Sequence, residues 1–235
     1  MATGELLRWD MEMDSLEREL REKLAWTAIR SYRRGHVAAA GGNVSARVPG
    51  RDEVLITPTG VSLELTTVDN IVKVDINANQ IDGHPTCKPS KETGFHCAVY
   101  RTRPEVNAIV HVHPPYCTAF SNRYEELPLV TVSASVGLKA VPIIDVALSG
   151  SAELRGFVED AFRMNPMAKA VMMRAHGVIA AGSDLVNAYD IADLVENTAK
   201  IAFLTQGFGV SMDDAVEVAF RPVPGGRPLP AGAVE

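Results

Sequence analysis

The most restrictive feature of this 235-residue chain is the run from Val106 to Val112, apolar except for Asn107 and His111 and cut off by Pro114-Pro115. A short apolar run ended by proline reads as a buried strand, because proline cannot donate to a sheet ladder. Buried on both faces, such a strand needs cover on both. That directs the reading toward a sheet with helices packed against it.

The flanking segments agree with this. Leu16, Leu20, Leu24, Ala25, Ala28 and Ile29 recur at helical spacing between Ser15 and Tyr32. Val44–Val48 and Val54–Ile56, joined through Pro49-Gly50, form a predicted hairpin, and Ile71–Ile76 followed by the turn formers of 77–83 forms another. Helices are expected from Ser90 to about Arg103, over Glu153–Met164 and from Leu185 to about Thr205. Further strands are expected at Leu129–Val132, Val141–Ile144, Ala170–Arg174 and Val178–Ala181. No linker, composition change or fixed-period repeat divides residues 15–210. The chain is therefore read as one α/β domain, residues 1–220, with a mostly antiparallel central β-sheet flanked by helices. Residues 221–235, rich in Pro and Gly, are expected to form a mobile tail.

Charge and cysteine content narrow the function. The formal net charge is −6 with no basic block, which argues against a nucleic-acid partner. Cys87, Cys97 and Cys117 make an odd set without a CxxC pair, as expected of a reducing cytoplasm rather than a disulfide framework. With no apolar leader and no run long enough to span a bilayer, the expected location is the cytoplasm and no membrane partner is expected.

Three clusters can carry chemistry. On an extended strand His111 and His113 project from one face. Two adjacent imidazoles can chelate a divalent ion, and His176, at a strand end before Gly177, would supply a third ligand while leaving positions open. His36, His84 and His96 read as structural or surface residues, although His96 lies one helical turn after Glu92. In the second cluster, Ser90 is a candidate N-cap that places Glu92 in the first helical turn. Glu92 then either serves the helix terminus alone or sits between a metal and an anion held by exposed amides and Lys91, placed for proton transfer. In the third, Gly42-Asn43 and Thr59-Gly60 lie in small, hydroxylic loops able to donate to phosphate oxygens; Thr57-Pro58-Thr59-Gly60 could equally be an ordinary turn.

Taken in order, Gly-Gly-Asn-Val-Ser (41–45), Leu-Ile-Thr-Pro-Thr-Gly (55–60), Pro-Ser-Lys-Glu (89–92), His-Val-His-Pro-Pro-Tyr (111–116) and Ala-His-Gly (175–177) resemble the class II aldolase/adducin family, over about Leu16 to Gln206. The resemblance implies a divalent metal, zinc first and manganese, iron or cobalt as alternatives, on His111, His113 and His176. Glu92 would complete the shell and act as acid/base, and Gly42, Asn43, Thr59, Gly60 and Ser90 would bind phosphate. It also implies a homotetramer with active sites between subunits. The implied reaction is carbon–carbon cleavage through a metal-stabilised enediolate, first of all retro-aldol cleavage of a ketose 1-phosphate.

Two departures bear on the leaving group. Lys91 replaces a small hydroxylic residue, and the tyrosine that the aldolases take from a neighbouring subunit has no counterpart near Asp145 and Ser149. Decarboxylation of a phosphorylated keto acid or a dihydroxyaromatic acid is thus the alternative, since Lys91 can hold a phosphate or a carboxylate as a point charge. A sugar-phosphate 4-epimerase and a non-catalytic adducin-like module are the further alternatives.

Overall fold

The computed structural model describes residues 15–209 and 211. At its centre is β5 (Ala108–Val112), every residue of which is buried. It pairs antiparallel with β1 (Asn43–Arg47) on one side and β8 (Gly177–Gly182) on the other. Outward from β1 come β2 (Glu53–Ile56), β3 (Val72–Asp75) and β4 (Gln80–Asp82); outward from β8 come β7 (Ala170–Met173) and β6 (Ile143–Ile144). The order of this eight-stranded sheet is β4-β3-β2-β1-β5-β8-β7-β6. Only the β6–β7 pair is parallel, so the expected α/β domain with a mostly antiparallel sheet is what forms.

Strand alternation divides the apolar side chains into two cores, one on each face. Ala108, Val110 and Val112 of β5 join Val178 and Ala180 of β8 beneath α1 (Ser15–Arg33) and α6 (Leu185–Gly207). Ile109 turns the other way, with Ile179 and Val171, against Phe95 and Val99 of α2 (Thr93–Thr102) and Leu154 and Val158 of α5 (Ala152–Met164). His111 has the parity of Ile109 and therefore faces the α2 side. This parity positions the site described below.

Several boundaries differ from the sequence expectation. Leu129–Val130 forms no strand; Thr131 accepts from the Ala134 amide at 3.1 Å and starts α4 (Val132–Leu138). A β-branched apolar run resembles a strand until a threonine finds a free helix amide to cap. Pro114-Pro115 does more than stop β5, because Pro114 is the N-cap and Pro115 the first turn of α3 (Pro115–Ser121). The strand expected over Val141–Ile144 contracts to Ile143–Ile144. The tail expected at 221–235 lies outside the described residues.

The α1 face holds one feature that its apolar periodicity hides. Glu17 and Arg21 are buried together, Arg21 Nε lying 3.0 Å from Glu17 Oε1. Arg21 Nη1 donates to the Val68 and Ile71 carbonyls at 3.2 and 2.8 Å, and Lys73 Nζ reaches Glu17 at 2.9 Å. The helix is thereby fastened to the approach to β3. Removing one partner of such a set leaves a desolvated charge behind, so Arg21→Ala should cost about 3–5 kcal/mol of stability in urea titration. A loss below about 1 kcal/mol, the level of a surface pair, would show that the network does not fasten the helix.

Candidate metal centre

Four groups from three segments converge at one end of the central strands. His111 is the last β5 residue paired with β1, its Cα opposite Asn43 there and Ile179 on β8. His113, two residues on, is held past the strand end by its amide, which donates to the His36 carbonyl at 3.0 Å. His176 occupies the turn between β7 and β8, after Ala175 at φ 56°. That left-handed backbone is uncommon for a residue with a Cβ, and Ser121 Oγ secures it by accepting from the Ala175 amide at 3.0 Å. Glu92 stands immediately before α2, at the N-cap position, with no side-chain capping bond. The helix begins at Thr93, later than the sequence predicts, and the carboxylate is free to point elsewhere.

It points into the histidines. Glu92 Oε2 is 3.1 Å from His111 Nε2, and Oε1 is 3.3 Å from His176 Nε2. His113 Nε2 lies 2.9 Å from His111 Nε2. The donor atoms of all four residues fall within 4.8 Å of one another. Ligands bound at about 2.0–2.1 Å around a single ion stand about 3 Å apart, so the set fits a divalent cation. His111 Nδ1 donates to the Val178 carbonyl at 3.0 Å, which turns Nε2 toward the cluster. Burial, reinforced by the charge of His111, lowers His113 to about 3 and His176 to about 4, so both imidazoles are neutral and able to ligate at neutral pH. Burial alone would raise the Glu92 carboxyl. The charge of His111 and hydrogen bonds from His111 and Asn43, with the charge of His176, outweigh it and hold the group well below the usual carboxylate range.

Two glycines make the convergence sterically possible. A Cβ on Gly177 would come within 2.2 Å of the Val112 carbonyl oxygen and 2.9 Å of His113 Cδ2. At Gly42, where φ is 74°, it would approach the His111 carbonyl oxygen to 2.7 Å. The chain must come this close for the end of β5, the β7–β8 turn and the start of α2 to bring these side chains together.

Beside the centre opens a cleft of about 340 Å³. Gly42, Asn43, Thr59, Gly60, Ser90 and Lys91 all line it, together with Glu92, His113 and His176. The amides of Thr59 and Ser90 already donate to the Lys88 and Thr57 carbonyls, at 2.9 and 3.2 Å, so these residues can offer a ligand only their hydroxyls. The Lys91 side chain is exposed and has no ion-pair partner among the described residues. Asn43 is buried, and its amide is engaged at both ends, donating to Glu92 Oε2 at 2.8 Å and accepting from His96. His36 and His84 lie elsewhere, bonded to Asp193 and Thr86.

Ser149 was not singled out from sequence. Its hydroxyl donates to Glu92 Oε1 at 2.8 Å from a loop that is remote in the chain. A serine in a Leu-Ser-Gly-Ser loop carries no local signal for this role.

Residues 22–203 match the model of the class II aldolase and adducin N-terminal domain. An L-fuculose phosphate aldolase of Methanococcus maripaludis is 34% identical over 173 residues, covering 74% of this chain and 90% of that protein. A 3-oxo-tetronate 4-phosphate decarboxylase of Haemophilus influenzae is 35% identical over 184 residues, covering 75% and 83%. Among solved structures, an L-fuculose 1-phosphate aldolase superposes with a TM-score of 0.76 at 29% identity, over 88% of this chain and 95% of that one. YgbL of Klebsiella pneumoniae, whose name offers aldolase, epimerase and decarboxylase as alternatives, also gives 0.76, at 27% identity and over 87% and 99%.

Replacing His113 with Ala should remove tight divalent-metal binding, read as metal content after gel filtration, while leaving the protein folded. A His113→Ala protein that holds one equivalent of metal as tightly as the parent would rule out this centre.

Proposed function

The chain belongs to the class II aldolase and adducin family, and on that premise we propose that it is a metal-dependent carbon–carbon lyase performing retro-aldol cleavage of a ketose 1-phosphate. The observation that carries this reading is the convergence of three histidines and one carboxylate at a cleft that His113, His176 and Glu92 line together with hydroxylic and cationic residues. His111, His113 and His176, with Glu92, would hold the ion, zinc first and manganese, iron or cobalt as alternatives. When bound, such an ion supplies a Lewis acid that draws electron density from substrate oxygens.

The chain's own residues supply the rest. Thr59 and Ser90 present hydroxyls, and Lys91 presents a positive charge, to the phosphate end of the substrate; Gly42 and Gly60 keep the cleft wall low. Asn43 borders the cleft, but its side-chain amide is engaged by Glu92 and its backbone lies opposite His111 in the β1–β5 ladder. Glu92 carries the proton between oxygen and carbon during cleavage. Its carboxylate receives hydrogen bonds on both oxygens, from Ser149 and Asn43, which fixes its direction. Val146 and Leu148, on the loop that brings Ser149, are 60% and 82% exposed, an uncovered apolar rim that a neighbouring subunit of a homotetramer would bury.

A second reading is favoured by Lys91. Its ammonium, without an ion-pair partner among the described residues, could hold a carboxylate rather than a phosphate, and a phosphorylated keto acid would then lose carbon dioxide instead of an aldehyde. The relative named as a 3-oxo-tetronate 4-phosphate decarboxylase supports keeping this reading in view.

An assay on metal-loaded protein that measures aldehyde and carbon dioxide separately decides between the two. Ketose 1-phosphates should yield aldehyde, and chelator should abolish it; carbon dioxide from phosphorylated keto acids, without aldehyde, would replace the first reading with the second. Glu92→Gln should retain most of the metal and slow turnover by at least about a hundredfold. Near-normal turnover would remove Glu92 from the chemistry.

A further inference from the structure

Behind Glu92, on the side away from the cleft, runs a buried polar chain that enters the sheet. Tyr100 OH lies 2.8 Å from Ser45 Oγ, and Ser45 Oγ lies 2.7 Å from His96 Nδ1. His96 Nε2 is 2.5 Å from Asn43 Oδ1, and Asn43 Nδ2 is 2.8 Å from Glu92 Oε2. Asn43, Ser45, His96 and Tyr100 are all 3% exposed or less. Ser45 and Asn43 lie two apart on β1, and His96 and Tyr100 lie four apart on α2, so strand and helix periodicity bring both pairs to one interface.

The direction of each hydrogen bond follows from its last member. Glu92 is a carboxylate and can only accept, so Asn43 must present Nδ2 to it and Oδ1 to His96. His96 must then donate from Nε2, which leaves Nδ1 bare to accept from the Ser45 hydroxyl. Reversing any one bond would set two acceptors, Asn43 Oδ1 and Glu92 Oε2, face to face in a buried site. We infer that His96 is a positioning residue for Glu92: as the Nε2–H tautomer it locks the Asn43 amide in the one orientation that donates to the carboxylate. Packing restrains the imidazole itself, which is stacked on Phe95 with ring centroids 4.8 Å apart.

Without His96 the Asn43 amide has no partner to fix its orientation and can rotate by half a turn. Glu92 then loses one of the donors that aim it, while every side chain that could hold the metal remains. The consequence for catalysis rests on the proposed role of Glu92 as acid/base. The tautomer and the amide orientation do not.

The test therefore has two arms. In the first, long-range 1H–15N spectra of the metal-free wild-type protein should show His96 protonated on Nε2 and bare on Nδ1. In His96→Leu the Asn43 side-chain amide signals should shift or broaden, and in His96→Gln, which can still donate to Oδ1, they should stay near their wild-type positions. A His96 ring protonated on Nδ1 alone, or Asn43 signals unmoved in His96→Leu, would overturn the inference. In the second arm, on the metal-loaded enzyme, His96→Leu should lower kcat by about tenfold to a hundredfold with KM and metal content close to wild type, the scale of a misdirected catalytic group. His96→Gln should recover most of that loss, and an unchanged kcat in His96→Leu would remove the catalytic part of the inference. Should wild type turn over none of the substrates, the proposed function fails and the first arm alone decides. If His96→Leu does not fold, the wild-type tautomer and the His96→Gln spectrum still decide it.

Discussion

A carboxylate buried among imidazoles is the constraint on which the rest of this structure depends. Taking Glu92 out of water is costly unless its charge is met by opposite charge and by donors. The protein meets it twice over, with histidine nitrogens at 3.1 and 3.3 Å and with the Ser149 and Asn43 donors at 2.8 Å each. Each of these groups must itself be held in place. His111 is held by the Val178 carbonyl, Asn43 by His96, and His176 by a turn fastened through Ser121. Three imidazoles and a carboxylate at this spacing are a poor core and a good cation site, and that is why the arrangement reads as chemistry.

The sheet is the means by which such distant residues meet. Antiparallel pairing of β1, β5 and β8 sets Asn43, His111 and Ile179 side by side, and the loops at that end deliver His176 and Ser149. Period-two alternation then turns His111 toward α2, whose start carries Glu92. The cores above and below are apolar and conventional. Their contribution to function is to keep those strand ends in register within a few tenths of an ångström, as close packing does.

Much of this was legible in the chain itself. The His111-Val112-His113 spacing, the abrupt proline stop and the turn at His176 pointed to three imidazoles, which the structure brings together, because strand parity and turn chemistry are local properties. Gly42-Asn43 and Thr59-Gly60 stand out as one pair of loops and Ser90-Lys91 as a helix start, and all six residues line one cleft. The limits were also local in origin. Leu129–Val132 read as a strand because β-branched composition cannot reveal that Thr131 will cap a helix. Glu17 and Arg21 sit at i, i+4 like an exposed pair, and only the approach of residues 68–73 buries them. His96 could be placed near Glu92 by helical spacing, but its partners are on β1.

The sequence by itself determined the kind of fold, the histidines that could ligate a metal and the class II aldolase and adducin family, since these rest on periodicity and on motifs short enough to be read locally. Tertiary structure alone decided where Glu92 points, which donors hold it, and that Asn43 spends its side chain on the carboxylate. Those facts depend on hydrogen-bond directions among residues 49 to 57 positions apart in the chain. No local pattern encodes a contact across that separation until strand pairing and helix packing have fixed the geometry.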